Sequence, residues 1–142
     1  MKAENSLDDG ENPVLISPDS MKLLENLNCS VIKKRRKWNA EILLNLLKTI
    51  PDIKFPINID KILKITPFSI PILVKNRDDF QNKLAEKGIY SPVLWPLSDS
   101  ARKKSPFAYE MENSMLSIPI DQRYDYSDMQ QIFNTIKFLF LK

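Results

Sequence analysis

Apolar residues change period along the chain. Between Ser30 and Pro51, the residues Val31, Trp38, Ile42, Leu46 and Ile50 recur at steps that sum to helical turns, with Leu43 and Leu47 widening the stripe. That spacing predicts a long amphipathic helix, stopped by Pro51. A short helix precedes it: Ser17 is placed as N-cap and Pro18 at the first helical position, with an end near Asn28. From Pro51 to Thr66, Ile53, Phe55, Ile57 and Ile59 alternate as in a strand while Pro56 interrupts any central ladder, so an edge strand or extended segment is expected. Phe68 to Lys75 reads as a better strand, its first half held to an edge or bulge by Pro71. Asn76 is expected to cap a helix from Arg77 to Lys87, with Phe80, Leu84 and Ala85 inward and Gly88 as the left-handed residue after it. Ile89 to Leu97 resumes extended structure, Ser98 to Glu112 is a polar loop or short helix, and Ser114 to Ile120 is a final strand. The last helix is expected to open at Ser127-Asp128, with Ser127 as cap, and to run through Met129, Ile132, Phe133, Ile136 and Phe140. Its apolar face is wide enough to need a sheet or another subunit over it.

These elements predict an α/β (α+β) fold, a two-layer sandwich in which a small, mostly antiparallel sheet carries helices on one face. At 142 residues the chain is long enough for one core. Met1 to Asn12 is acidic and poor in apolar residues, so residues 1–15 are expected to form a flexible polar leader and 16–142 the domain. No repeat of solenoid length is visible.

Composition narrows the chemistry. Apolar residues make up 43% and charged residues 27%, ordinary for a globular chain, and the net charge of +3 is too small to argue for nucleic acid or a membrane. Lys33-Lys34-Arg35-Arg36-Lys37 is five consecutive cations, but on a helix they spread around the circumference, and the reading is a solvated face rather than a nucleic-acid patch. Cys29 is the only cysteine, so no internal disulfide can form and a cytoplasmic setting is expected. No apolar stretch is long enough to span a membrane. With no histidine, serine-histidine and cysteine-histidine catalysis and the usual zinc sites fall away, and no metal ligand set is assigned.

A set of short segments occurs in order: Ile16-Ser17-Pro18-Asp19-Ser20, Lys34-Arg35-Arg36 with Leu43 to Leu47, Asn76-Arg77-Asp78-Asp79 through Lys87-Gly88-Ile89-Tyr90, Pro92-Val93-Leu94-Trp95-Pro96, and Leu116-Ser117-Ile118-Pro119-Ile120-Asp121 with Asp128-Met129. In order and spacing they resemble the C-terminal small domain of the DegT/DnrJ/StrS-type sugar aminotransferases, over roughly residues 16 to 140. The resemblance implies an aspartate-aminotransferase fold and, in a full enzyme, pyridoxal phosphate-dependent transfer of an amino group to a keto sugar nucleotide for polysaccharide or antibiotic-sugar synthesis. It also implies what this stretch does not contain, because the Schiff-base lysine, the acidic partner of the pyridine nitrogen and the phosphate cradle belong to the large domain upstream. None of the sixteen lysines sits in a recognisable lysine-bearing loop, and Gly10 and Gly88 cannot make a glycine-rich cradle. No catalytic and no cofactor-binding residue is therefore assigned, and the chain alone is expected neither to bind pyridoxal phosphate nor to transaminate.

Two substrate-facing candidates remain. Leu94-Trp95 falls where relatives carry a histidine and then an aromatic residue at the cleft, so Trp95 is a candidate wall for a sugar nucleotide, against a reading as core or interface. Arg123 is a candidate for holding a substrate carboxylate, against a salt bridge with Asp121, Asp125 or Asp128. Arg102-Lys103-Lys104 reads as an exposed loop, and Asp78-Asp79 as helix-start acids. Expected partners are a large-domain chain or a second copy. The rival expectation is a non-catalytic binding or regulatory module that kept the fold.

Overall fold

The computed structural model describes residues 15–94 and 97–141. The expected leader lies outside the described residues except for Leu15, and so does Trp95. In chain order the elements are α1 (Pro18–Glu25), α2 (Cys29–Leu47), α3 (Ile59–Lys64), β1 (Ser69–Leu73), α4 (Arg77–Ala85), α5 (Asp99–Lys104), α6 (Pro106–Ser114), β2 (Met115–Pro119) and α7 (Tyr126–Phe140).

β1 and β2 pair antiparallel, with Ile70 opposite Ile118 and Ile72 opposite Leu116. Side chains alternate across a strand, so these four share one face, and all four are fully buried. Over them lie Leu43, Leu44 and Leu47 of α2 and Met129, Ile132 and Ile136 of α7. The two helices pack along each other, while α4 meets α7 and β2 and sets Phe80 edge-on to Phe140 with ring centres 5.5 Å apart. Helices on a small antiparallel sheet are the predicted two-layer arrangement.

Several local expectations hold. Ser17 caps α1, accepting from the Ser20 N–H at 3.2 Å, with Pro18 opening the helix. Gly88 takes φ +76°, and the Ile89 N–H reaches the Leu84 carbonyl while the Gly88 N–H reaches that of Ala85, both at 2.9 Å. That pair of bonds closes the C-terminus of α4 in the left-handed manner glycine permits. Phe80 and Leu84 are its buried residues.

Other expectations are corrected. The buried face of α2 is Asn39, Ala40, Leu43, Leu44 and Leu47, whereas Val31 and Trp38 are exposed and Ile42 and Leu46 are half-buried. A single 19-residue helix can satisfy several apolar stripes, and the sheet meets only its C-terminal half, which selects the face. Within 51–66 the extended stretch makes one bridge, Lys54 to Leu73, and Ile59 then opens α3 because Asn58 caps it through the Asp60 N–H at 2.8 Å. Residues 89–94 alternate in burial but pair with no strand among the described residues. Asn76 sits at the start of α4 without a side-chain cap; it takes φ +49°, a left-handed turn that Asn tolerates. Asp125, not Ser127, caps α7: its carboxylate accepts from the Ser127 and Asp128 N–H groups, and Asp128 accepts from the Asp125 N–H at 2.8 Å. Being two residues earlier and charged, Asp125 outcompetes the serine for the helix's free N–H groups.

The basic Arg102 stretch is a helix rather than a loop, and it has a structural job. Arg102 Nε and Nη2 donate to the two oxygens of half-buried Glu112, each at 2.8 Å, and the Leu97 N–H donates to the same carboxylate at 2.8 Å. Arg77 Nη1 adds a bond to the Glu112 carbonyl at 2.8 Å, tying α4 to α6. The Arg102 bonds hold the Glu112 carboxyl at about 2, below its ordinary 4.5, with the Leu97 N–H the next cause. A carboxyl whose folded value is depressed stabilises the fold fully above its unfolded value, and that contribution is lost as pH falls through the folded one. The thermal midpoint should therefore drop between pH 4.5 and pH 2, and the drop should be shallower in Glu112→Gln, which starts lower at neutral pH. Parallel pH profiles for the two proteins would contradict the assignment.

Candidate functional site

Strand alternation turns Ser69, Pro71, Ser117 and Pro119 to the face away from the Ile70 and Ile118 core. Above it lies a cavity of about 220 Å³, floored by Ser69, Ser117 and Pro119 and walled by Phe68, Tyr90, Pro92, Ile120, Asp121 and Tyr124. Arg36 of α2 and Arg123 border it.

Asp121 organises the charge. Arg123 Nε donates to Asp121 Oδ1 at 2.7 Å and the Arg123 N–H to the same oxygen at 3.0 Å, while Arg36 Nη2 lies 3.5 Å from Oδ2. Arg36 Nε also donates to Gln122 Oε1 at 2.7 Å, and its guanidinium stacks 5.2 Å from the centre of the Phe68 ring. The Arg123 hydrogen bond is the first cause that lowers the Asp121 carboxyl below its ordinary range, with the Arg36 charge adding to it. Asp121 in turn raises Arg123. Two guanidiniums against one carboxylate leave a positive excess at the cavity, and a hydroxyl floor with aromatic walls suits an anionic group carried on a ring.

The turn that carries Asp121 and Arg123 is pinned from below. Asn39, fully buried on α2, donates through Nδ2 to the carbonyls of Asp121 at 2.7 Å and Tyr124 at 3.2 Å. Arg36, Asn39 and Leu43 stand three and four residues apart, one helical face, so the helix that packs the core also aims a cation into the cavity.

Of the two sequence candidates, Arg123 is at the cavity and makes the expected salt bridge with Asp121, its side chain 80% exposed at the rim. Trp95 lies outside the described residues; Pro92 of the same segment lines the cavity. Arg36 and Asn39 were missed as site residues. Their signal was the i, i+3, i+7 spacing from Arg36 through Asn39 to Leu43, hidden by reading the basic run as one solvated face. Lys33, Lys34, Arg35 and Lys37 are exposed as expected, and Arg36 is the exception.

No family model and no curated protein matches the sequence. Solved structures do match by shape. The sugar aminotransferase CalS13 from Micromonospora echinospora aligns with a TM-score of 0.67 at 18% identity, over 78% of this chain and 31% of that one. The chain has the fold of one part of a sugar aminotransferase. The aminotransferase TlmJ from Streptoalloteichus hindustanus gives 0.64 at 17% identity, covering 75% and 31%. A DegT DnrJ EryC1 StrS aminotransferase from Brucella abortus gives 0.62 at 20% identity, covering 78% and 32%. The chain thus spans about a third of the length of these enzymes.

Replacing Asn39 with Ala should cost about 1–3 kcal/mol in denaturant unfolding, since two carbonyls lose their donor beneath the turn. Arg123→Ala, an exposed change, should stay within about 0.5 kcal/mol of the parent. Equal losses from the two substitutions would contradict Asn39 as the anchor.

Proposed function

We propose that this chain is the C-terminal small-domain portion of a pyridoxal phosphate-dependent sugar-nucleotide aminotransferase, and that amino transfer requires a large domain in addition to these residues. The observation that carries the reading is the match to about a third of each sugar aminotransferase over most of this chain. In a completed enzyme Arg123 and Arg36 would hold the anionic part of the substrate against Ser117 and the aromatic walls. Trp95, outside the described residues, stays the second candidate for facing the substrate. The setting would be cytoplasmic synthesis of a polysaccharide or antibiotic sugar.

The chain's own residues do not fit the cofactor. Pyridoxal phosphate needs an imine-forming lysine and a cradle of backbone N–H groups for its phosphate. No lysine lines the cavity, and every lysine among the described residues lies exposed on the surface. Gly88, the glycine among the described residues, closes a helix C-terminus, where carbonyls rather than N–H groups face outward. No chemical step is assigned to this chain for that reason.

A second reading, a non-catalytic module that binds an anionic sugar compound, is favoured by one observation: two arginines, Arg36 and Arg123, border the cavity while no lysine lines it. Both readings expect the same first result. Added pyridoxal phosphate should give only the visible absorbance of the free cofactor, and no amino transfer from glutamate to a keto sugar nucleotide should be seen. A cofactor band abolished by replacing one lysine would overturn both. Restoration of transfer on mixing with a lysine-bearing large-domain chain encoded nearby separates the split enzyme from the module.

A further inference from the structure

From Leu15 to Trp38 the chain folds into helices yet buries almost nothing. Only Ile32 and Arg36 in this stretch are less than exposed, and α1 contributes no residue to the core. The helices are closed by their own ends: Asn26 Nδ2 donates to the Lys22 carbonyl at 2.8 Å, and the Asn28 side chain accepts the Val31 N–H at 3.1 Å to cap α2. A helix as short as α1 gains little stability in water until its apolar face is packed.

That face is open. At 3.6 residues per turn, Leu23 and Leu24 lie on the side of α1 away from Asp19, Lys22 and Glu25. Leu23 is 73% exposed and Val31 59%, with Leu24, Leu27 and Trp38 open as well. On α2, Val31, Lys34, Arg35 and Trp38 stand at i, i+3, i+4 and i+7, one face, turned away from the Asn39, Leu43 and Leu47 face that meets the core. The four border an open groove of about 430 Å³, and the Arg35 guanidinium rests 5.1 Å from the centre of the Trp38 ring. Cations are thus set inside an exposed apolar stripe rather than opposite it.

From Asn26 to Ala40 the chain carries five cations and no acid. Screening limits the reach of each charge to about 8 Å at physiological salt, so this local run decides what approaches the arm, not the chain's net +3. A nucleic acid would use the cations and Trp38 but leave Leu23, Leu24 and Val31 in water. The centre of a protein interface is poor in lysine, whereas Lys34 sits in the middle of this face with Lys33 and Lys37 exposed beside it. An anionic bilayer uses both kinds of side chain: aliphatic groups and an indole enter at headgroup level while lysine and arginine stems lie along them, charged ends among the anionic headgroups.

We propose that the α1 and N-terminal α2 arm is a docking surface for an anionic lipid bilayer. It lies in the plane of the headgroups with Leu23, Leu24, Val31 and Trp38 toward the acyl region. The proposal goes beyond the functional reading and does not depend on it, because the groove on α2 and the cavity behind Arg36 share no residue.

The test is flotation of the full chain with phosphatidylcholine vesicles carrying about 30% phosphatidylserine, against phosphatidylcholine alone, in about 0.1 M salt. Partition onto the anionic vesicles should be at least about tenfold stronger and should fall as salt rises. Trp95→Phe leaves Trp38 as the single indole, and its emission should move to the blue on binding. Lys33→Gln, Lys34→Gln and Lys37→Gln together, or Leu23→Ser with Leu24→Ser, should each weaken partition at least about tenfold. Both variants should keep the parent's thermal midpoint, since all five side chains are exposed. No flotation with phosphatidylserine, equal binding to both vesicle types, or indifference to either set of changes would overturn the proposal. So would a chain that does not float yet binds single-stranded RNA, or one that does not float yet binds an acidic amphipathic peptide.

Discussion

A two-stranded antiparallel sheet has two faces and little width, and that constraint governs this molecule. Pairing Ile70 with Ile118 and Ile72 with Leu116 puts four aliphatic side chains on one side, and α2 and α7 supply the apolar rows that bury them. Strand alternation then sends Ser69, Pro71, Ser117 and Pro119 to the other side, where Ser69, Ser117 and Pro119 floor the cavity. The core and the cavity are therefore two consequences of one register. A slip of one residue would exchange them, placing serines under the helices and isoleucines in the cavity.

The same helix serves both sides. The C-terminal half of α2 packs the core through Leu43, Leu44 and Leu47, and one turn earlier Asn39 and Arg36 fasten the 121–124 turn that closes the cavity. Asp121 sits between Arg36 and Arg123 and keeps both cations in place while leaving their excess charge unneutralised. The N-terminal half of α2 has no sheet beneath it, which is why its apolar and basic residues face outward together.

Local chemistry made much of the fold legible from the sequence. Ser17-Pro18, Gly88 and the 68–75 and 114–120 runs are short-range signals, and each marks an element or boundary the structure contains. What could not be read was whatever depends on a distant partner. The face α2 buries is chosen by the sheet, so the stripe through Val31 and Trp38 was as good on paper as the one through Ala40 and Leu43. Arg102 resembled loop charge because its partner Glu112 is ten residues away and half-hidden in a polar stretch. The Arg123 salt bridge was legible through its neighbouring acids, whereas Arg36 needed the fold to bring residue 121 beside it.

The central claim is that the second sheet face forms an anion-binding half-site within this chain alone. Titration of the full chain with a nucleoside diphosphate sugar, followed by backbone amide chemical shifts, tests it most directly. The account predicts saturable shifts confined to residues around Ser117, Asp121 to Tyr124, Arg36 and Tyr90, abolished in Arg123→Ala with the spectrum elsewhere intact. Absence of shifts at millimolar ligand, or shifts centred on the exposed Lys33 to Lys37 run instead, would contradict it.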